Sequence, residues 1–238
     1  MSDLWRSCTA YLQCQIGQAN ANQEQTCSPH PFVTISRQTG AGGITIGEKL
    51  AAYLTENDRS SICSWTVFDK NLVQRVLEEY HLSLQLKQYM AEDTTSELQT
   101  FFEELLNLHP SDWSLVHKTS ETIIHLAKSG SVILVGRGAN LLTRKLPFGF
   151  HVRLIGSLRA RLKHVQDYYD LNRKRALQFI EKQDKGRAAY VKKNFSENID
   201  NPLLYDVVIN TDSFSYEQAA TLIGQQALEK GKPIAKKI

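Results

Sequence analysis

The chain has 238 residues, of which 42% are apolar and 22% are charged, and its formal net charge is +3. This length suits one α/β domain with an inserted or appended lobe, and the composition is typical of a soluble globular protein. No apolar run approaches the roughly 18 residues that a membrane span needs. The first residues also lack a basic region followed by an apolar stretch and a cleavage site. We therefore expect one globular unit in the cytoplasm.

Positive charge is concentrated in one part of the chain. Residues 137–193 contain 15 Lys and Arg against 4 Asp and Glu, a net charge of +11, so the remaining residues carry −8. A basic lobe on a nearly neutral protein suits a compact polyanionic ligand such as a nucleotide. Two alternatives stay open here: a nucleic-acid surface, and a solvated basic face that binds nothing.

The first 30 residues are rich in Gln, Asn, Ser and Cys, and they end in Ser-Pro-His-Pro at positions 28–31, where the prolines break a helix. We interpret residues 1–30 as a flexible polar leader. The four cysteines include no Cys-x-x-Cys pair, and three of them lie in this leader, so we expect neither a disulfide framework nor a zinc site. The histidines are scattered and are interpreted as surface or packing residues.

The strand, turn and helix that follow the leader indicate a phosphate site. The β-branched stretch Phe32–Ser36 predicts a strand, Gly40-Ala41-Gly42-Gly43 predicts a turn, and the apolar spacing beyond Thr45 predicts a helix. In such a unit, successive backbone N–H groups and the positive end of the helix dipole can surround an anion. The alternative is a turn whose glycines only let strand and helix pack closely.

This turn departs from the full phosphate-loop signature. The position expected for the lysine is occupied by Gly43, and Ile44 and Thr45 follow it. Arg37, just before the turn, is the candidate that could supply the missing positive charge. Thr45 is a candidate contact for Mg²⁺, directly or through water, but a threonine there can equally cap the helix.

The rest of the chain alternates between predicted strands and helices. Strands are predicted at Thr66–Asp69, Ser131–Val135, His151–Ile155 and Val207–Asn210, and helices near residues 72–80, 95–108, 113–128, 158–169, 172–193 and 216–230. Such alternation predicts right-handed crossovers and a parallel sheet, whose ligands bind at the carboxyl ends of the strands. The glycine turn, Asp69 and Arg137 all fall at such ends.

Several ordered motifs carry a family resemblance. They are Ile35-Ser36-Arg37-Gln38-Thr39-Gly40-Ala41-Gly42-Gly43, Phe68-Asp69-Lys70, Val135-Gly136-Arg137-Gly138-Ala139, Asp184-x-x-Arg187-x-x-Tyr190 and Tyr205-Asp206-Val207-Val208-Ile209-Asn210-Thr211. Together they resemble the cytidylate-kinase-like family over residues 32 to about 225.

The resemblance implies a nucleoside monophosphate kinase fold of the α/β class. Its three layers would consist of a parallel sheet of about five strands flanked by helices, with a helical insertion that binds the acceptor and a basic helical lid. A single domain would then span residues 31–232. Its core is assigned to 31–69, 131–156 and 203–232, the insertion to 70–130 and the lid to 157–195. The leader, residues 1–30, lies outside this domain.

The resemblance also implies roles for single residues. Gly40, Ala41, Gly42, Gly43, Ile44 and Thr45 would bind the phosphates of ATP. Arg137 would bind the acceptor phosphate, with Asp69 as a polar contact to the acceptor nucleotide. Asp184 would orient the acceptor nucleoside. Arg187 would contact its phosphate as the lid closes, and Arg161 would clamp the transferring phosphoryl group. Arginine suits these roles because its planar fork binds phosphate oxygens in pairs and stays charged without water.

Each of these assignments has a structural alternative. Asp184 and Arg187 are three residues apart on a predicted helix and could form an ordinary surface ion pair. Arg137 could be a surface arginine after a strand, and a purely surface position also stays open for Arg153 and Arg159. Family members typically carry an arginine where this chain has Ile44, so the catalytic activity is less secure than the binding.

Three hypotheses about function follow from the residues and the resemblance. The first is phosphoryl transfer from MgATP to a pyrimidine nucleoside monophosphate such as CMP or dCMP. The second is a nucleotide-binding regulatory protein of the same fold with weakened catalysis, for which Ile44 is the distinguishing feature. The third, ranked last, is a nucleic-acid-binding module that uses residues 137–193. The expected partners are ATP, Mg²⁺ and a nucleoside monophosphate, with no membrane; base specificity and oligomeric state are not predicted.

Overall fold

A computed structural model of the protein describes residues 3–21, 31–69, 71–73, 113–136 and 138–231. The elements in chain order are α1 (Asp3–Ala21), β1 (Phe32–Arg37), α2 (Gly43–Asn57), β2 (Thr66–Asp69), α3 (Trp113–Ser129), β3 (Val132–Val135), α4 (Ala139–Leu142), β4 (Gly149–Ile155), α5 (Leu158–Tyr169), α6 (Arg173–Phe195), a 3-10 turn (Pro202–Leu204), β5 (Val207–Asn210) and α7 (Tyr216–Lys230). The helix predicted near residues 95–108, most of the one near 72–80, and Arg137 lie outside the described residues.

The five strands form one sheet in the order β2-β3-β1-β4-β5, and every neighbouring pair is parallel. The predicted parallel α/β sheet is therefore confirmed, with β1 at its centre. Ile35 of β1 lies level with Val135 of β3, which in turn lies level with Asp69 of β2. Because parallel strands end at the same edge, the residues that follow β1, β2 and β3 meet there.

Helices cover both faces of the sheet and produce three layers. On one face α2 and α7 pack over a cluster that includes Ile35, Leu50 and Ile223, all of them fully buried. On the other face α1 and α3 pack over Phe32 and Phe68 of the sheet. A sheet buried on both faces explains why β1 and β3 read as nearly continuous apolar runs.

Polar caps determine where three helices begin. The side chain of Ser157 accepts a hydrogen bond from the N–H of Ala160 at the start of α5, and Asn172 does the same for α6. Ser215 forms a capping box with Gln218 at the start of α7. Each cap satisfies N–H groups that the first turn of a helix leaves without a partner. No helix in the described ranges is long and apolar enough to span a membrane.

The interpretation of residues 1–30 as a flexible polar leader is wrong for residues 3–21, which form helix α1. Trp5, Cys8, Tyr11 and Leu12 of this helix are buried in the same cluster as Phe68. They recur at i, i+3, i+6 and i+7, a helical stripe that the many polar residues between them obscured. The Tyr11 hydroxyl also donates to the carbonyl of Gly130 at 2.6 Å.

The sequence predicts no disulfide framework, yet the structure contains a disulfide. Cys14 of α1 is bonded to Cys63 in the loop before β2, and the two Cα atoms are 6.0 Å apart. Local spacing could not predict this bond because 49 residues separate the cysteines in sequence. Cys8 is a free, buried thiol that donates to the carbonyl of Val67, and burial, together with the nearby Asp69 charge, raises its pKa to about 12.

Candidate functional site

The glycine turn lies between the carboxyl end of β1 and the start of α2. The strand extends one residue further than predicted, to Arg37, and the helix begins at Gly43 rather than at Thr45. Gly40 and Gly42 adopt φ angles of 83° and 73°, which are unfavourable for other residues. A Cβ atom on Gly40 would lie 2.5 Å from the carbonyl oxygen of Arg161. Both backbone conformation and crowding therefore require glycine here.

The first turn of α2 presents main-chain N–H groups to this turn. Gly42 is the N-cap and has no side chain to accept from them. The first N–H groups of a helix have no partner inside the helix, and the helix dipole makes that end positive. The arrangement therefore suits an anion. Ile44 lies in this first turn and packs against the apolar cluster under α2. Its side chain is uncharged, so it adds no positive charge to the anion site.

A cavity of about 520 Å³ opens at the glycine turn, within the usual size range of small-molecule sites. The turn separates two different walls. One wall comes from the ends of β2 and β3 and the residues that follow them, including α4, and the other comes from α5 and α6. The first wall is polar and includes Asp69, Asn71, Gly136, Gly138 and Asn140, whereas the second is largely aromatic and includes His164, Tyr168, Tyr169 and Phe179.

A charged cluster joins α6 to the glycine turn. The Asp184 carboxylate accepts hydrogen bonds from the main-chain N–H of Thr39 at 2.8 Å and from the Thr39 hydroxyl at 2.7 Å. Arg161 donates to the other oxygen of Asp184 at 2.7 Å, and Arg187 donates to Asp184 at 3.1 Å and to the Thr39 hydroxyl. The alternative that Asp184 and Arg187 form only a surface ion pair does not account for this cluster, since both residues also bind Thr39 of the turn.

The protonation of Asp184 follows from this cluster. Burial acts to raise the pKa of its carboxyl, but the hydrogen bonds from Thr39 and Arg187 and the charge of Arg187 outweigh burial and lower the pKa below its ordinary value. The carboxylate is therefore charged at neutral pH. It occupies a main-chain N–H of the turn and two arginines, which are the groups that a phosphate would use.

Arg161 does not face the cavity in this structure. It is 9% exposed, and besides Asp184 it donates to the carbonyls of Gly156 at 3.0 Å and Thr39 at 3.2 Å. Its donors are thus directed at protein acceptors, and the role of phosphoryl clamp stays a prediction that requires Asp184 to move. Arg187 does line the cavity, and its buried Nε has no hydrogen-bond partner among the described residues. This free donor fits an anionic ligand.

Arg37 connects the turn to the end of β3. Its aliphatic chain lies against Gly43, where an added Cβ would come within 2.8 Å of its Cγ. Its guanidinium contacts Gly136, leaving no room for a side chain there. Arg37 therefore places its positive charge between the glycine turn and the polar wall. Whether it replaces the missing lysine stays a prediction.

Asp69 and Arg137 were both predicted to contact the acceptor. Asp69 ends β2 and lines the cavity, and one of its carboxylate oxygens accepts from the N–H of Leu72 at 2.8 Å. The other oxygen is the one that could contact a ligand. Arg137 lies outside the described residues, although its neighbours Gly136 and Gly138 line the cavity.

Sequence reasoning missed two residues of this region. Thr39 was quoted only as part of a motif, yet both its main chain and its hydroxyl bind Asp184. Arg153, left open as a surface charge, is 5% exposed and donates to Ser36 at 2.9 Å and to Asp200 at 2.8 Å. Its position between Val152 and Leu154 inside a strand could have indicated burial, because side chains alternate between the two faces of a buried sheet.

The described residues contain no cluster of three or more His, Cys, Asp or Glu side chains able to hold a metal ion. Mg²⁺ in nucleotide sites is bound by one or two protein groups together with substrate phosphates, so it does not need such a cluster. Thr45 lines the cavity in the first turn of α2. A magnesium ion carried by phosphates at the turn fits this donor set.

Comparison with known proteins identifies the family. A sequence model described as "Cytidylate kinase-like family" matches residues 32–213. A crystal structure of an uncharacterized protein from Eubacterium ventriosum shares 19% identity with the chain, and the match covers 83% of this chain and 98% of that one, with a TM-score of 0.61. No protein of curated function matches significantly.

Two solved structures of shikimate kinases match the chain with lower TM-scores. A shikimate kinase from Bacteroides thetaiotaomicron is 14% identical, over 84% of this chain and 97% of that one, with a TM-score of 0.45. A shikimate kinase from Acinetobacter baumannii, in complex with shikimate, is 16% identical, over 90% of this chain and 99% of that one, with the same score. Because the family model matches residues 32–213, which are most of the sequence, the chain belongs to the cytidylate kinase-like family.

Proposed function

We propose that this member of the cytidylate kinase-like family transfers a phosphoryl group from MgATP to a pyrimidine nucleoside monophosphate such as CMP or dCMP. The observation that carries the proposal is the cavity of about 520 Å³ that holds a glycine turn between two walls of different chemistry. Phosphoryl transfer requires two nucleotides to meet in line at one point. A central phosphate cradle with a wall on each side suits that requirement.

The donor phosphates would bind at the turn. The N–H groups of Gly43, Ile44 and Thr45 lie in the first turn of α2 and have no acceptor within the helix. Arg37 adds a positive charge beside Gly43. Mg²⁺, bound to the phosphates and within reach of Thr45, would neutralise charge that develops during transfer.

The acceptor would bind against the polar wall. Asp69 and Asn71 line this side and offer hydrogen-bonding groups that can bind a base or a ribose, whereas the amide nitrogen of Asn140 already donates to the carbonyl of Leu204. Arg187 reaches the cavity from α6 and carries the free Nε donor described above. We assign it to the acceptor phosphate, together with Arg137 on the basis of the family resemblance. Arg161 would join them once Asp184 releases it.

The proposal is tested by measuring ADP release in a coupled assay with MgATP and each of CMP, dCMP, UMP and AMP. We expect turnover with CMP or dCMP. Arg187→Ala should reduce kcat/KM about 100-fold or more, because it removes a charge from the transferring phosphates. Lys185→Ala is the control, since Lys185 is exposed on the same helix and does not line the cavity. Absence of turnover with every monophosphate would rule the proposal out.

A second candidate is a nucleotide-binding protein with weak transfer. It is favoured by Ile44, which packs against apolar residues where the family carries an arginine, and by the engagement of Arg161 with Asp184. The variant Ile44→Arg distinguishes the two. If a missing charge limits transfer, this variant should gain up to about 100-fold in kcat, whereas Ile44→Gln should gain nothing. Equal, efficient turnover in all three proteins would exclude the second candidate.

A further inference from the structure

The second wall of the cavity is a row of aromatic side chains that the phosphate chemistry of the proposed function does not use. Four of the rings, those of His164, Tyr168, Tyr169 and Phe179, line the cavity, and the ring of Tyr216 packs behind them against His164. We call the five rings together the aromatic wall. Consecutive ring centroids are 5.8, 5.9, 4.8 and 5.1 Å apart. These separations are typical of aromatic pairs in contact. The wall is therefore one continuous surface built from α5, α6 and α7.

The aromatic wall begins directly behind the glycine turn. The Tyr216 ring packs against Gly42, where an added Cβ would lie 2.6 Å from its Cζ. Tyr216 also shares a hydrogen bond with His164 Nδ1 at 3.1 Å, which fixes both rings. Tyr168 is two ring-to-ring steps from Tyr216, each shorter than 6 Å. A nucleoside whose phosphates lie on the turn can reach this part of the wall.

The outer rings of the aromatic wall are unusually accessible. Tyr168 is 64% exposed and Tyr169 is 51% exposed, although they lie beside each other at the end of α5 and line the cavity. Adjacent large apolar side chains that face a cavity are more informative than scattered ones, because such patches mark binding sites. Their exposed faces are suited to stacking on a planar ligand.

We propose that the aromatic wall binds the base of the phosphoryl donor by stacking. This inference rests on the proposed function, under which the polar wall is taken by the acceptor and the aromatic wall is left for the donor. Stacking recognises the π-face that every base has, so it discriminates little between bases. The protein therefore accepts nucleoside triphosphates of different bases, and ATP and GTP should support kcat/KM values within about tenfold of each other.

The test measures binding rather than turnover, by calorimetry with a non-hydrolysable ATP analogue and with inorganic tripolyphosphate, both with Mg²⁺. Tyr168→Ala and Tyr169→Ala should weaken binding of the analogue about 5- to 100-fold and leave tripolyphosphate binding unchanged. Tyr168→Phe keeps the ring and should bind like the wild type. Ile62→Ala is the control, because Ile62 is 69% exposed and lies in the loop before β2, away from the cavity lining.

The outcomes separate the inference from the proposed function. Unchanged binding of the ATP analogue in both alanine variants would overturn the inference, as would an equal loss of tripolyphosphate binding. A raised KM for CMP with an unaltered KM for ATP would assign the aromatic wall to the acceptor and overturn it too. If the variants lose analogue binding but the wild type transfers no phosphoryl group, the inference stands and the proposed function fails.

Discussion

The carboxylate of Asp184 accepts two hydrogen bonds from Thr39, one from the main-chain N–H at 2.8 Å and one from the hydroxyl at 2.7 Å. A residue of α6 is thereby bound to the turn where a phosphate is proposed to bind. The contact ties the basic helix pair α5–α6 to the core of the protein. It also supplies the negative charge that Arg161 and Arg187 would otherwise lack.

The first prediction concerns this contact. Asp184→Ala should lower the free energy of unfolding by about 3 kcal/mol, because it leaves the buried Arg161 guanidinium without its ion-pair partner. Urea denaturation followed by circular dichroism measures the change. Glu181→Ala is the matched control, since Glu181 is an exposed acidic residue on the same helix and should change stability by less than about 0.5 kcal/mol. Equal stability of both variants would contradict a structural role for Asp184.

The same carboxylate should compete with anionic ligands for the turn. In Asp184→Asn the side chain keeps its size but loses the charge that a phosphate would meet near Thr39. Inorganic tripolyphosphate should then bind about fivefold more tightly than to the wild type, which corresponds to about 1 kcal/mol of removed repulsion. Isothermal titration calorimetry with Mg²⁺ measures this. Weaker binding would mean that Asp184 holds the turn in its binding geometry rather than competing with the ligand.

The third prediction concerns His151, whose imidazole lies between strands. Its Nδ1 shares a hydrogen bond with the Thr34 hydroxyl at 2.9 Å. Burial, helped by the charge of Lys230 and opposed by that of Asp206, lowers the pKa of His151 from 6.5 to about 4. The folded protein therefore keeps His151 neutral where the unfolded chain protonates it. Stability is retained above pH 6.5 and lost as the pH falls from 6.5 to 4.

This loss can be measured. The wild type should lose up to about 3 kcal/mol of unfolding free energy to this group between pH 7 and pH 4. His151→Gln cannot titrate in that range, so its stability should change less steeply with pH. Urea denaturation at several pH values compares the two. Parallel pH profiles would show that His151 is protonated in the folded state as readily as in the unfolded one.

The fourth prediction concerns the disulfide between Cys14 and Cys63. Cys14→Ala should lower the free energy of unfolding by about 2–4 kcal/mol under oxidising conditions, since the bond restricts the unfolded chain. A reducing agent should lower the melting temperature of the wild type and leave that of the variant unchanged. Mass spectrometry of the unreduced protein should find these two cysteines linked. Two free thiols at these positions would disprove the bond.

The last prediction compares two glycines inside helices. Gly186 of α6 lines the cavity and Gly17 of α1 does not, and a Cβ atom would meet no atom within 4 Å at either position. Alanine at either site should stabilise the protein by up to about 1 kcal/mol, because glycine is a poor helix former. Gly186→Ala alone should weaken nucleotide binding if a ligand passes close to this face. Equal affinity in both variants would place the ligand elsewhere.

Much of the fold was readable from the sequence because it depends on local patterns. The strand Thr66–Asp69 and the helix beginning at Tyr216 have their predicted bounds, since side-chain periodicity and capping residues act over a few neighbours. The alternation of strands and helices predicted the parallel sheet that the structure shows. The glycine turn was likewise recognisable from its composition and its place after a buried strand.

Only the tertiary structure decided which distant side chains meet. The bond between Cys14 and Cys63 and the burial of Trp5 depend on how α1 packs against the sheet, which no local pattern encodes. The pairing of Arg161 with Asp184 depends on the approach of α6 to the turn, so a residue expected to bind phosphate is held by a carboxylate. The sequence by itself determined the strands of the sheet, most of the helices and the glycine turn. Packing between elements far apart in the chain decided which of the basic residues face the cavity.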